Sequence, residues 1–267
     1  MISLPPRTAP TRGARWALLG AVIGLMCGVL AFAPAAWLAT AVASASSGKL
    51  RLVDARGTVW DGNARLVLSG GEGSQDALAL PGRVTWQAGL SLRGAQLQLG
   101  AACCTAAPID VRLTPAWHGL RVSLADSTST WPAGLLAGLG APWNTVLPQG
   151  VLQIGTQGLS LEWREGRLTV GGSVRMDALA LSSRLSTLKP IGSYRMTLVG
   201  GANQGPPALQ LQTLDGSLNL SGSGQWAGSH WSFRGEASAA PGDEQALGNL
   251  LNVLGRRQGA RSVISLG

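Results

Sequence analysis

Leu90-Ser91-Leu92-Arg93-Gly94-Ala95-Gln96-Leu97-Gln98-Leu99 alternates apolar with polar side chains, and Gly82-Arg83-Val84-Thr85-Trp86 does the same just before it. Successive side chains on a strand point to opposite faces. A period of two therefore marks a strand with one side in a core and the other in water. The pattern recurs in both directions along the chain. Upstream lie residues 50–53, 57–60 and 65–68, with Asp54-Ala55-Arg56 turn-prone and Asp61-Gly62 a strong hairpin signal. Downstream come 109–113 and 120–124 around Trp117-His118-Gly119, then 151–154, 159–163, 167–170, 173–181, 194–199, 209–214, 217–221, 231–237 and 263–266. Glu165-Gly166 and Asp215-Gly216 read as turns between paired runs. Short connections rule out parallel crossover units. The predicted fold is mainly β: such strands build a sandwich, a barrel or one long curved sheet, and a large antiparallel, strongly curved sheet is expected here.

Two segments interrupt the strands. Trp131-Pro132 opens a short helical pattern with Leu135, Leu136 and Leu139 on one face, ended by Gly140 and Pro142. Residues 243–257 form the second, with Leu247, Leu250, Leu251 and Leu254 spaced i, i+3, i+4, i+7. Asp243 and Glu244 at its start and Arg256 and Arg257 at its end suit the helix dipole.

The N-terminal segment follows different rules. Residues 16–38, WALLGAVIGLMCGVLAFAPAAWL, carry no charge, and the next charged side chain is Lys49. About 20 apolar residues are enough for a transmembrane helix, which satisfies its own backbone groups where water is absent. Gly20, Gly24 and Gly28 share one face of that helix, and Trp16 and Trp37 stand near its ends. Arg7, Arg12 and Arg15 precede it with no acidic residue among them, which keeps the N-terminus cytoplasmic and puts the rest in the periplasm. A cleavable signal peptide ending near Ala43-Ser44-Ala45 is the alternative, and it delivers the domain to the same compartment. The expected organisation is a cytoplasmic tail (1–15), a transmembrane helix (16–38), a linker (39–48) and a periplasmic β domain (49–267).

Composition narrows the function. A net charge of +8 raises the question of nucleic acid, but the arginines are scattered singly among Leu and Val, as at Arg51, Arg65, Arg93, Arg112, Arg121 and Arg175. That is a solvated strand face, not a basic patch with interleaved aromatics. The chain has 38 Gly and 10 Trp against 1 Tyr and 2 Phe. Trp60, Trp86, Trp163, Trp226 and Trp231 fall at strand ends. They read either as core fillers with the indole N–H bonded at the rim, or as a groove or partner surface. Cys27 lies in the span. Cys103 and Cys104 are neighbours, able to form a vicinal disulfide only outside regular strand, in an oxidising compartment.

No catalytic constellation is readable. The histidines, His118 and His230, each stand beside a Trp. Ser186-Thr187-Leu188-Lys189 matches the S-x-x-K motif of acyl-enzymes, but its companion motifs are missing and Pro190 denies it a helix. Gly222-Ser223-Gly224-Gln225-Trp226-Ala227 fits a dinucleotide fingerprint but opens no helix. No metal or cofactor site is expected.

Several short segments, in order behind the apolar span, carry a resemblance. They are Gly57-Thr58-Val59-Trp60-Asp61-Gly62, Gly82-Arg83-Val84-Thr85-Trp86, Pro190-Ile191-Gly192-Ser193-Tyr194, and Thr213-Leu214-Asp215-Gly216-Ser217-Leu218-Asn219-Leu220-Ser221-Gly222 before Gly224-Gln225-Trp226. The chain resembles type II secretion system protein N, an accessory subunit of the bacterial inner membrane. The resemblance implies a non-enzymatic part of the apparatus that exports folded proteins across the outer membrane. Its expected partners are other inner-membrane secretion subunits and membrane lipid, and no catalytic residues carry over. The alternative is a lipid-binding or lipid-transfer β-groove protein anchored in the same membrane.

Overall fold

The computed structural model describes residues 12–266, apart from 72, 93, 117–118, 165–166, 202–204 and 228–229. Most of the expected tail lies outside the described residues, as do Arg93, the Trp117-His118 pair and the Glu165-Gly166 turn.

The alternating runs assemble, among the described residues, into one 16-stranded sheet in which every pairing is antiparallel. The strands are β1 (Leu50–Gly57), β2 (Asp61–Ser69), β3 (Ala77–Ala79), β4 (Val84–Ser91), β5 (Gly94–Ala101), β6 (Ile109–Ala116), β7 (Gly119–Leu124) and β8 (Ser127–Pro132). They continue with β9 (Gln149–Arg164), β10 (Arg167–Ser182), β11 (Gly192–Val199), β12 (Ala208–Gly216), β13 (Leu218–Trp226), β14 (Trp231–Ala239), β15 (Arg256–Gln258) and β16 (Arg261–Leu266). The order across the sheet nearly follows the chain, β1-β2-β4-β5-β6-β7-β9-β10-β11-β12-β13-β14-β16-β15. The short strand β3 lies alongside the far end of β2, and β8 alongside that of β9.

The helices are few: α1 (Arg12–Ala31), α2 (Ala35–Ala45), a 3-10 segment at Ala133–Leu139, α3 (Trp143–Val146) and α4 (Glu244–Leu254). All but α1 cover parts of one face of the sheet. Ala35 of α2 is buried with Ala64 and Trp86, and Leu38 packs against them. Leu135 of the 3-10 segment is buried with Leu80, Ala101 and Cys104. Leu247, Leu250 and Leu251 of α4 are buried with Leu152, Ala178, Tyr194, Leu218 and Ala237. Val84 touches the first two of these clusters and Trp131 the last two, so all three occupy the same side of the sheet.

Several expectations change. The sheet is open and not strongly curled, with β1 and β15 as separate edges. Bulky Leu, Val and Trp side chains line its apolar face while Gly, Ser and Gln are frequent on the other, and crowding on the inner side resists closure. The single continuous helix expected over 16–38 is also corrected, since two helices share that run. The helix stops at Ala31, Pro34 lacks the N–H needed to continue it, and α2 packs back against β1 and β2. Among the described residues no helix is long and apolar enough to cross a membrane. The expected linker at 39–48 is largely the second half of α2.

Local differences have local causes. The run 90–99 is not one strand but the two arms of the β4–β5 hairpin, with Ser91 opposite Gly94. Gly94, at φ +136°, accepts the turn, and a side chain there would collide with the Leu113 carbonyl. Asp61-Gly62 begins β2, and the turn falls earlier, where Thr58 Oγ1 accepts the N–H groups of Trp60 and Asp61. Arg256 and Arg257 leave the helix and form β15.

Candidate apolar docking face

The pairing registers sort every strand residue onto one face or the other. Leu90, Ala95, Leu113, Val122, Leu161 and Val170 stand opposite one another in succession from β4 to β10. A second row runs Pro115, Leu120, Trp163, Leu168, a third Ala88, Leu97, Val111, Leu124, and a fourth Trp86, Leu99, Ile109. No polar side chain interrupts these rows. Yet Leu90 is 73% exposed, Trp163 54%, Leu168 49% and Leu120 43%. The helices and the 3-10 segment lie chiefly over β1–β3, β9 and β14–β16. Apart from Leu97 and Ala101 of β5, which meet helical cover, the apolar side of β5, β6 and β7 is therefore open. Isolated exposed leucines are ordinary, but a contiguous sheet face of them marks a contact surface.

The opposite face is as consistently polar. Its rows read Gln87, Gln98, Asp110; Gln96, Arg112, Ser123, Ser160; and Thr114, Arg121, Glu162, Thr169. Farther along come Asp177, Arg195, Gln212, Ser221 and Glu236. Arg51, Arg65, Arg112, Arg121 and Arg175 are exposed. Ion pairs tie neighbouring strands on this side. Arg195 Nε and Nη2 donate to the two carboxylate oxygens of Asp177 at 2.7 and 2.8 Å. This fork holds the Asp177 carboxyl below its ordinary pKa and raises that of Arg195. Arg121 acts first, then Arg164, to lower Glu162. Arg83 and Arg56 lower Asp54, which the strand irregularity in β1 holds at φ +53°.

Of the five tryptophans singled out in the sequence, four lie on the apolar face. Trp86 is buried beneath α2, with its indole N–H donating to the Thr58 carbonyl at 3.1 Å. Trp163 is the most exposed of the four that lie in strands. Trp226 and Trp231 face each other across β13 and β14, edge to face at 5.5 Å, next to buried Phe233. Trp60 sits in the β1–β2 turn, and its indole N–H donates to the Leu30 carbonyl at the end of α1. Only Trp226 and Trp231 touch as a pair; β4, β9 and β13 are well separated in the sheet. The single-residue reading missed the rows themselves, which become visible only once the register is known.

A sequence comparison matches the profile of type II secretion system protein N to residues 48–264, from just before β1 into β16. The chain belongs to that family. No curated relative and no solved structure matches it. The family is that of an accessory component of type II secretion.

In this chain the segments that carried the resemblance meet in pairs. Gly62 stands opposite Trp86, and a side chain at 62 would overlap the indole ring. Gly192 stands opposite Gly216, and the Ile191 carbonyl accepts the Ser217 N–H at 2.9 Å. A side chain at 216 would strike the Gly192 backbone. These residues brace the sheet at two places under helical cover and do no chemistry.

Cys103 and Cys104 are joined in a vicinal disulfide in the turn after β5. Cys104 is buried and its carbonyl accepts the Thr130 N–H; Cys103 is exposed. Ser186 is buried, and its hydroxyl accepts the Leu188 N–H. His118 lies outside the described residues, and His230 sits in the β13–β14 turn. Among the described residues no three His, Cys, Asp or Glu side chains converge as metal ligands.

Proposed function

We propose that this chain serves the inner-membrane platform of the type II secretion system as a non-enzymatic accessory. In this reading α1 holds the chain in the inner membrane, and the sheet stands on the periplasmic side, supporting export of folded proteins. The observation that carries the proposal is the family match through nearly the whole β body. Helix α1 supports the membrane part. Its residues from Trp16 to Ala31 are apolar, and all but Gly28 are exposed, large on one half and Gly, Ala or Cys on the other. A helix apolar on every side belongs in a core or a bilayer, and the sheet does not cover this one. Arg7, Arg12 and Arg15 on its N-terminal side favour a cytoplasmic N-terminus.

The reading is tested on the full chain in its own host. A reporter that works only after export, joined after Leu266, is active, and the chain solubilised from membranes brings other inner-membrane secretion subunits with it. A reporter active only in the cytosol, or a purified chain free of those subunits, overturns the proposal.

A further inference from the structure

The open part of the apolar face, spread over β4 to β10, has no assigned role. We propose that it takes an acyl chain of a membrane lipid, laid across the strands from the α2 side toward Val170. The inference rests on the membrane anchoring proposed above, which puts bilayer lipid next to the sheet.

Three observations favour lipid. The first is chemical. The rows through Leu113, Val122 and Leu161 offer no hydrogen-bonding side chain, and the backbone groups beneath them are used in the strand ladders. An extended peptide on this surface would leave its own N–H and C=O groups without partners, whereas an acyl chain has none to satisfy.

The second is continuity. Trp86 and Leu97, which begin the rows, pack against Ala35 and Leu38 of α2. Helix α2 follows the α1 junction at Phe32, which is 80% exposed. An apolar path thus leads from the exposed helix onto the sheet without crossing a charged side chain. The third is size. Five strand spacings separate β4 from β10 in the sheet order, about 24 Å at the usual spacing. One leaflet of a bilayer core is roughly 15 Å deep, so the face is long enough for one chain lying flat.

The competing occupant is a second copy, whose own apolar face would close a two-sheet sandwich. Photocrosslinking in living cells separates the two. Benzoylphenylalanine is placed at Val122, on the apolar face, or at Ser123, on the polar face, in cells grown with radiolabelled palmitate. The expected result is lipid label on the chain at Val122 about tenfold above Ser123, a free-energy difference of about 1.4 kcal/mol. Val122→Glu lowers the lipid that co-purifies, and Ser123→Glu does not; circular dichroism checks that both fold. If Val122→Glu does not fold, the crosslink decides alone. A crosslinked dimer at Val122, a crosslink there to another protein, equal lipid label at both positions, or none at all overturns the inference. Membrane fractionation of the same cells reads the anchoring separately. A chain in the membrane fraction without lipid label at Val122 defeats this proposal and leaves the secretion reading standing, whereas a chain absent from that fraction defeats the anchoring itself.

Discussion

Replacing Leu251 with alanine tests whether α4 holds the C-terminal half of the sheet. Leu251 is fully buried, with Leu247 and Leu250 beside it and the Ala237 side of β14 beneath. The Ser262 hydroxyl, also fully buried, donates to the Leu251 carbonyl at 2.7 Å, so helix and strand β16 are locked together at this residue. The backbone bond survives the substitution, and the loss is that of the side chain. Truncating a fully buried leucine costs about 3–5 kcal/mol where the site cannot collapse. A sheet strand on one side and the Ser262 lock on the other limit collapse here. For a domain of this size each kcal/mol moves the midpoint by about 2–4 °C, so Leu251→Ala lowers Tm by roughly 6–20 °C. Leu254, one turn later and only half-buried, loses about a third as much on truncation, near 1 kcal/mol. Thermal and urea unfolding of the purified chain, followed by circular dichroism, measure both. Equal losses for the two variants, or a loss under about 1 kcal/mol for Leu251→Ala, would refute the packing described for α4.

Other substitutions probe separate parts of the structure. Asp177→Asn removes the charge that Arg195 grips, and near neutral pH it destabilises by about 1–2 kcal/mol after allowing for solvent at the pair. Because the Asp177 pKa is lowered on folding, its contribution is present above the ordinary aspartate range and disappears as pH falls through the folded value. The gap between wild type and variant in urea unfolding therefore closes in acid; a gap that widens there contradicts the pairing. Tyr194 is buried, its phenol pKa is raised by that burial, and its hydroxyl has no hydrogen-bond partner among the described residues. Tyr194→Phe therefore leaves stability unchanged or raises it by up to about 1 kcal/mol, and a clear loss in thermal unfolding would mean that the hydroxyl is satisfied after all. Cys103→Ser and Cys104→Ser both remove the disulfide, but only the second puts a hydroxyl among Leu80, Ala101 and Leu135. Cys104→Ser is thus less stable than Cys103→Ser by about 1–2 kcal/mol, and equal midpoints would place Cys104 outside that cluster.

The architecture was legible where one physical rule acted alone. Period-two alternation located most of the strands, and the four leucines of α4 named its buried face. Between Ser91 and Gly94 the alternation changes phase, from Leu90 and Leu92 to Ala95, Leu97 and Leu99, and that shift is where the hairpin divides β4 from β5. The rule failed where tertiary pairing decided. Strand β8 carries no period-two signal, because Ser127, Thr128, Ser129 and Thr130 are all polar. It forms because β9 supplies a partner, with the Ser127 and Ser129 hydroxyls bonded into it. The strong Asp61-Gly62 signal lost to Thr58, whose hydroxyl caps an earlier turn. The apolar face was hidden for a different reason. Alternation says that a strand has two unlike sides, but only the register shows that six successive strands turn the same side the same way. In the N-terminal segment hydropathy alone could not register that Pro34 divides the apolar run and that α2 belongs with the sheet.

Secretion itself gives the most direct test of the account. In a strain lacking this chain, with the other secretion genes intact, exported enzymes are measured in the medium and in the periplasm. The account predicts that they accumulate folded in the periplasm and that the full-length chain restores their release. Unchanged levels in the medium without the chain would contradict it.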